Sequence, residues 1–179
     1  MLLVVAATEP ELSGARDVPT LACGIGPVDS AAATARALAG RRPEAVLHVG
    51  VAGCRRGCGL DPGRIVIGSE SIYCDTDSRL VVGRVEPDPR LLAAARAALP
   101  GAALLPIGTS ARVGGTSGCD VEAMEGFGVL RAAAAAGVPA LEVRAIANEI
   151  EEADRGLWRL DDAQAALAAT VPALVRAFG

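Results

Sequence analysis

Short apolar runs of β-strand length recur along the chain. Several are almost continuously apolar instead of alternating with polar residues, which is typical of strands covered on both faces. Six of these runs are predicted as strands, at residues 2–7, 19–23, 45–51, 64–68, 104–107 and 139–147.

Alanine-rich stretches with helical spacing lie between the apolar runs, and they predict helices at residues 30–39, 89–99, 124–136 and 161–178. The second begins with Asp88 as an N-cap followed by Pro89, and the third stops at Gly137 with Pro139 beyond it. Alternating strands and helices predict an α/β fold with a mainly parallel or mixed central sheet flanked by helices. The length and even composition predict one domain spanning residues 1–179.

The composition excludes several classes of partner. Apolar residues make up 51% of the chain, yet no run approaches the roughly 20 uncharged apolar residues that a membrane span needs. The start lacks a positively charged region and meets Glu9 early, so we expect no secretory signal and a cytoplasmic protein. A net charge of -4 and 2% aromatic residues make nucleic acid an unexpected partner.

The cysteines raise the question of a metal. Cys54 and Cys58 have Cys-x3-Cys spacing and lie close in sequence to the only histidine, His48. A second pair of ligands at zinc-finger spacing does not follow, so neither a metal nor a cofactor is predicted. The alternative is that the five cysteines are small apolar thiols, which are usually buried.

Two glycine clusters follow predicted strands. The first, around Gly24 and Gly26, has Asp29 where a dinucleotide-binding fingerprint requires a third glycine. It is either a plain strand-to-helix turn or a place where a ligand approaches the backbone near a helix N-terminus. The second cluster, Gly50 to Gly53, likewise removes side chains where a ligand can lie.

Two further segments carry candidate chemistry. Glu122 and Glu125 occur with Met124 at the predicted start of an alanine-rich helix, where acids can simply favour the helix dipole. Asn148 leaves a buried strand at the edge where α/β sheets bind ligands, and its amide both donates and accepts hydrogen bonds.

Taken in order, these motifs are similar to those of the methylthioadenosine and adenosylhomocysteine nucleosidases and their phosphorylase relatives. The matching segments are Glu9-Pro10-Glu11, Gly24-Ile25-Gly26, Val49 to Gly53, Met124-Glu125-Gly126 and Val143 to Asn148. Within that superfamily, Glu122 to Gly128 and Ala153 to Arg159 resemble the futalosine hydrolases. The resemblance implies a nucleoside phosphorylase-like fold, a purine nucleoside substrate and a homo-oligomer. It further implies hydrolysis of the N-glycosidic bond of futalosine, which releases hypoxanthine on a route to menaquinone.

The resemblance also implies roles for single residues. Glu11, in preference to Glu9, orients or deprotonates the attacking water, and Glu125 accepts hydrogen bonds from the ribose hydroxyls. Asn148 replaces the aspartate of adenine-cleaving relatives, and its two N–H donors favour a 6-oxopurine. The expected substrate contacts are Gly26, Val51, Ala52, Gly53, Glu122, Ala123, Met124 and Trp158. Trp158, the only tryptophan, covers the pocket or, alternatively, lies in the core or an interface.

The nucleophile is expected to be water. Related phosphorylases bind phosphate through an arginine and a serine near the second glycine cluster, where this chain has His48 and Val51. Arg55 and Arg56 are alternative phosphate ligands, although exposed loop arginines are the simpler interpretation. The loop 108–120 is shorter than expected, and its base contacts are not assigned. A catalytically inert nucleoside-binding protein is the remaining alternative.

Overall fold

The computed structural model describes residues 1–40, 42–114 and 118–179. The strands of this part are β1 (Leu2–Ala6), β2 (Thr20–Ala22), β3 (Ala45–Cys54), β4 (Ile65–Tyr73), β5 (Arg84–Val85), β6 (Ala103–Thr109), β7 (Val121–Ala123) and β8 (Ala140–Glu149). The helices are α1 (Pro27–Gly40), α2 (Pro89–Ala98), α3 (Gly126–Ala135) and α4 (Leu160–Phe178). Two short 3-10 helices span Glu9–Leu12 and Arg155–Leu157. None of the helices in these ranges has both the length and the apolar character of a membrane-spanning segment.

The strands form one mixed sheet, which confirms the predicted α/β class. β1 pairs in parallel with β2 and β3, and β3 pairs in parallel with β8. β4 pairs antiparallel with β8 and parallel with β6, while the short β7 joins β6 back to β3. Strands β3, β8, β4, β6 and β7 therefore form a closed ring of hydrogen-bonded pairs, which the linear pattern of apolar runs did not predict.

Helices cover both faces of the sheet. On one face α4 packs against β8 and β3, with α2 beside it, and on the other face α1 packs against α3. β8 is buried along most of its length, as its almost continuously apolar sequence predicts. Asp88 caps α2 by accepting hydrogen bonds from the backbone amides of Arg90 and Leu91, so the predicted helix start is confirmed.

The boundaries differ from the prediction in two informative places. β7 was not predicted, because three residues that include a carboxylate have no apolar pattern of their own. α3 begins at Gly126 and not at residue 124, so Glu122 lies in a strand and Glu125 immediately precedes the helix. The alternative in which both glutamates are acids of the first turn of one helix is therefore wrong.

A close contact between α1 and α3 holds the residue before α3 in place. A Cβ atom at Gly128 would lie 2.5 Å from the Pro27 carbonyl oxygen, so only glycine allows the two helices to approach this closely. The Ser30 hydroxyl donates a hydrogen bond of 3.3 Å to the backbone carbonyl of Glu125. The first turn of α1 thereby fixes the backbone from which the Glu125 side chain projects.

Candidate active site

A cavity of about 550 Å³ opens where β1, β3 and β8 end. Open α/β sheets commonly bind ligands at the carboxyl ends of their parallel strands. The predicted residues in its wall are Glu11, Val51, Ala52, Gly53, Glu122, Ala123, Met124, Glu125, Asn148 and Trp158. The structure therefore brings together residues that lie as far apart in sequence as the first and last thirds of the chain.

Gly26 is the one predicted substrate contact that is not part of the cavity wall. Its φ of +97° turns the chain from β2 into α1, a conformation that favours glycine. Its backbone amide donates a 3.2 Å hydrogen bond to Oε1 of Glu125. Gly26 thus acts on the site through Glu125, and its neighbour Ile25 contributes to the wall instead.

Glu11 is buried beside the end of β3. Its Oε2 accepts hydrogen bonds from the backbone amide of Thr8 at 3.0 Å and from the Thr8 hydroxyl at 2.8 Å. Its Oε1 accepts one from the backbone amide of Val51 at 2.9 Å. Three donors stabilise the carboxylate and hold it in one orientation. Glu9 is exposed and is not among the residues of the wall.

Glu125 is buried and held from two sides. Gly26 binds its Oε1, and Nη1 of Arg144 lies 3.3 Å from its Oε2. The side chain makes no capping hydrogen bond to α3, although Glu125 occupies the N-cap position. Its hydrogen bonds therefore run across the fold and not to its own helix, so the helix-dipole alternative does not account for them.

Arg144 is completely buried and links the elements around the cavity. Its Nε donates to Oε1 of Glu142 at 2.7 Å, and Nη1 also donates to the Val51 carbonyl at 3.3 Å. Ser71 on β4 donates to the other oxygen of Glu142. Glu142, Arg144 and Ser71 had no role predicted from the sequence. Two charged residues spaced two apart within the apolar run of β8 are the signal that could have revealed the pair.

His48 is a neutral member of this network. Nη2 of Arg144 lies 2.6 Å from its Nε2, and because a guanidinium only donates, Nε2 accepts and Nδ1 donates to the Val5 carbonyl at 3.0 Å. Burial, reinforced by the charge of Arg144, holds the pKa of His48 well below its usual value. Both ring nitrogens are therefore engaged within the protein.

The cysteines near His48 make other contacts. The Cys54 thiol donates to the Leu60 carbonyl at 3.2 Å, and Cys58 is half-buried. Across residues 1–40, 42–114 and 118–179, no group of three or more His, Cys, Asp or Glu side chains is arranged to hold a metal ion. The Cys54, Cys58 and His48 set that motivated the zinc alternative does not converge on one point.

Negative charge dominates the centre of the site. Burial raises the pKa of Glu125; Arg144 and Gly26 oppose this, and nearby Glu11 adds to it. Burial alone would lower the pKa of Arg144, but Glu142 and Glu125 raise it above its usual value. Since one guanidinium faces three carboxylates, a group that develops positive charge in the cavity is stabilised there.

Asn148 lies half-buried at the end of β8. Its Nδ2 donates a 2.7 Å hydrogen bond to the backbone carbonyl of Glu149, which assigns the amide orientation because a carbonyl only accepts. One of its two N–H donors is therefore engaged within the protein. The expectation that both donors face the base is not met, and a single N–H remains for a ligand.

Trp158 lies half-buried in the wall and not in the core. Its Nε1 donates to the Glu152 carbonyl at 3.2 Å, and the guanidinium of Arg155 lies 5.6 Å from the centre of its ring. Arg112, Val113 and Gly114 bring part of the loop 108–120 into the wall, while residues 115–117 lie outside the described residues.

Arg55 and Arg56 do not belong to the described cavity wall. Arg56 forms an ion pair of 2.7 Å with Glu149, and Arg55 forms one of 3.5 Å with Glu151. These contacts agree with their interpretation as loop arginines.

Comparisons with known proteins agree with this architecture. The family profile of the phosphorylase superfamily matches residues 11–116. A futalosine hydrolase from Streptomyces coelicolor is 36% identical, in an alignment that covers 82% of this chain and 74% of that protein.

Solved structures show the same fold. A methylthioadenosine/adenosylhomocysteine nucleosidase from Neisseria meningitidis, in complex with methylthio-immucillin-A, superposes with a TM-score of 0.86 at 23% identity over 98% of both chains. The futalosine hydrolase of Helicobacter pylori superposes with a TM-score of 0.86 at 15% identity, over 98% of this chain and 97% of that one.

Replacing Arg144 with methionine should destabilise the protein strongly. The substitution leaves Glu125 and Glu142 buried without their shared cation, so we expect the free energy of unfolding to fall by about 3 to 5 kcal/mol. Urea denaturation at neutral pH measures the change. Arg131→Met, on the exposed side of α3, is the matched control and should stay within about 0.5 kcal/mol of the wild type. Equal effects of the two substitutions would contradict the role of the buried network.

Proposed function

The chain belongs to the phosphorylase superfamily, and from this we propose that it is an N-glycosyl hydrolase whose substrate is futalosine. The products are hypoxanthine and dehypoxanthine futalosine, in a route to menaquinone. The observation that carries the proposal is the convergence of two buried carboxylates, Glu11 and Glu125, held by different partners in one cavity. Identity of 36% to a futalosine hydrolase supports the choice of substrate.

Glu125 is assigned to the ribose. Cleavage of the glycosidic bond places positive charge on the sugar ring, and a fixed carboxylate in a buried site stabilises that charge in the transition state. Gly26 and Arg144 hold both carboxylate oxygens, so Glu125 does not have to reorganise as the charge develops. Met124, half-buried in the wall, provides an apolar surface beside the sugar.

Glu11 is assigned to the attacking water. Its Oε2 already accepts two hydrogen bonds from Thr8, whereas Oε1 accepts only the one from Val51. A carboxylate oxygen has two acceptor sites, so Oε1 retains one for a water molecule. Orienting and deprotonating that water is general-base catalysis, typically worth about 10²- to 10⁴-fold in rate.

The same contacts disfavour phosphate as the nucleophile. The backbone amide of Val51 binds Glu11, its side chain is apolar, and both nitrogens of His48 are engaged. Glu11 and Glu125 also make the nucleophile position electrostatically unfavourable for an anion. Water is neutral and small, and it meets neither obstacle.

Asn148 is assigned to the departing base. Its remaining N–H donates to N7 of the purine and, as a bifurcated bond, to the neighbouring O6 of hypoxanthine. A 6-amino group would instead direct a donor toward that N–H, which disfavours adenine. The donor also stabilises the negative charge that the purine carries as it leaves.

The assembly and location of the enzyme are part of the proposal. Leu80, Val81 and Val82 are exposed on the segment between β4 and β5, and adjacent exposed apolar side chains are typical of an interface. We expect a homo-oligomer in the cytoplasm, with a small purine nucleoside and no nucleic acid or membrane as its partner.

The purified protein should release hypoxanthine from futalosine at a rate that does not depend on inorganic phosphate. Release is followed chromatographically with and without phosphate, using inosine and methylthioadenosine as comparison substrates. Glu11→Gln should lose about 10²- to 10⁴-fold in rate because the general base is gone. The control Glu9→Gln, two residues away and exposed, should stay within about twofold of the wild type. Phosphate-dependent release would assign a phosphorylase instead, and binding without release would indicate an inert nucleoside-binding protein.

Activity should decline on the acid side at a higher pH than an ordinary glutamate would give. Ionised Glu125 is required for catalysis, burial raises its pKa, and the rate therefore falls as the pH drops through that raised value. Carbon-13 NMR of labelled glutamate carboxyls measures the titration, and Glu125→Gln identifies the resonance by its disappearance. A Glu125 resonance that titrates at or below about 4.3, the usual value for glutamate, would contradict this prediction.

Replacing Asn148 should affect both rate and base preference. Asn148→Ala removes a donor to the leaving base and should lower kcat by about 10²- to 10³-fold. Asn148→Asp donates only when protonated, so its relative activity should recover as the pH falls. Steady-state rates with inosine and adenosine measure the preference, which should favour inosine in the wild type. A wild-type preference for adenosine would refute the assignment of Asn148 to a 6-oxopurine.

A further inference from the structure

Two arginines in the cavity wall are not explained by cleavage of a nucleoside. Arg112 and Arg155 are exposed residues that line the cavity, and they are the cationic side chains in its described wall. Within the described ranges, ion pairs within 4.0 Å engage Arg55, Arg56, Arg84, Arg90, Arg144 and Arg159, but neither Arg112 nor Arg155. Their charges are therefore available to a ligand.

The surroundings of Arg155 favour an aromatic ligand group. Its guanidinium stacks over the Trp158 ring, and the indole is fixed by the hydrogen bond from Nε1 to Glu152. Leu160 and Val113, both apolar, lie in the same cavity wall. A fixed indole provides a stacking surface, and a guanidinium beside it forms charge-assisted hydrogen bonds with a carboxylate.

We propose that Arg155, assisted by Arg112, binds a carboxylate on an aryl group attached to the sugar of the substrate, and that Trp158 stacks on that aryl group. This rests on the proposed function and deepens it. Futalosine is an inosine-like nucleoside that carries a carboxyphenyl ketone on the 5′ side of its ribose, whereas inosine and methylthioadenosine have no carboxylate there. Arg155 is thus a specificity-determining residue that selects futalosine over nucleosides with uncharged 5′ groups.

The charge distribution of the cavity supports this assignment. Glu11, Glu122 and Glu125 line the part of the wall assigned to the nucleoside, where a substrate carboxylate would be repelled. Arg112 and Arg155 supply the positive charges of the described wall and can pair with a carboxylate. A substrate that is anionic at its 5′ end and becomes cationic at its ribose matches both the arginines and the glutamates of the wall.

A cycle of enzyme and substrate variants tests the proposal. The ratio of kcat/KM for futalosine to that for inosine is measured for the wild type and Arg155→Gln, with Arg159→Gln as the control. Arg159 is also near the second 3-10 helix and exposed, but it pairs with Asp162 and is not in the described wall. The ratio should fall about tenfold in Arg155→Gln, the factor expected for one charge-assisted hydrogen bond, and stay unchanged in the control.

A chemical variant of the substrate completes the cycle by removing the carboxylate charge from the ligand instead of the arginine from the protein. The methyl ester of futalosine lacks the negative charge. The kcat/KM of the wild type should therefore be about tenfold lower for the ester than for futalosine. The kcat/KM of Arg155→Gln should differ little between the two substrates. Quenching of the single tryptophan measures binding of futalosine and its ester to Glu11→Gln, independently of turnover.

The outcomes separate this proposal from the proposed function. The carboxylate site would be refuted if Arg155→Gln lowered kcat/KM equally for futalosine and inosine, or if the ester bound as tightly as the acid. Neither result would contradict the proposed hydrolase function. Failure of the wild type to release base from any nucleoside would refute the hydrolase. Tight, charge-dependent binding of futalosine to Glu11→Gln would still support the carboxylate site in that case.

Discussion

The guanidinium of Arg144 is the point on which the geometry of the site depends. It projects from β8 and binds His48 and Val51 on β3 and Glu125 before α3, while Glu142 connects it to Ser71 on β4. A buried cation with too few partners would be severely destabilising, so these elements are held in one arrangement. The position of Glu125 in the cavity is a consequence of that arrangement.

The glycines of the motifs make room for these charges. A Cβ atom at Gly50 would overlap Nη1 of Arg144, and one at Gly126 would overlap the carboxylate of Glu142. Gly50 belongs to the cluster that suggested close approach of a ligand to the backbone, and Gly126 belongs to the glutamate motif. The structure assigns these two positions to internal packing against buried polar side chains, and the ligand-facing surface begins at the adjacent residues Val51 and Glu125.

The proposed reaction gives the two glutamates different tasks, and their partners in the structure differ accordingly. Glu11 accepts hydrogen bonds only from amide and hydroxyl groups of Thr8 and Val51, whereas Glu125 binds the cation of Arg144 and the amide of Gly26. Burial and the nearby Glu11 raise the pKa of Glu125. The resulting excess of negative charge suits a reaction that places positive charge on a sugar and uses a neutral nucleophile.

Local pattern determined the α/β class and most of the strands and helices, because periodicity and turn residues report burial and chain direction directly. The residues that converge on the cavity were predicted from the resemblance of their motifs to a known family. Local pattern did not determine the partners of the buried charges, since Gly26 and Glu125 are 99 residues apart and His48 and Arg144 are 96 apart. Tertiary structure also decided that β7 closes the ring of strands. Such contacts arise only when distant segments meet, and no spacing within a single segment encodes them.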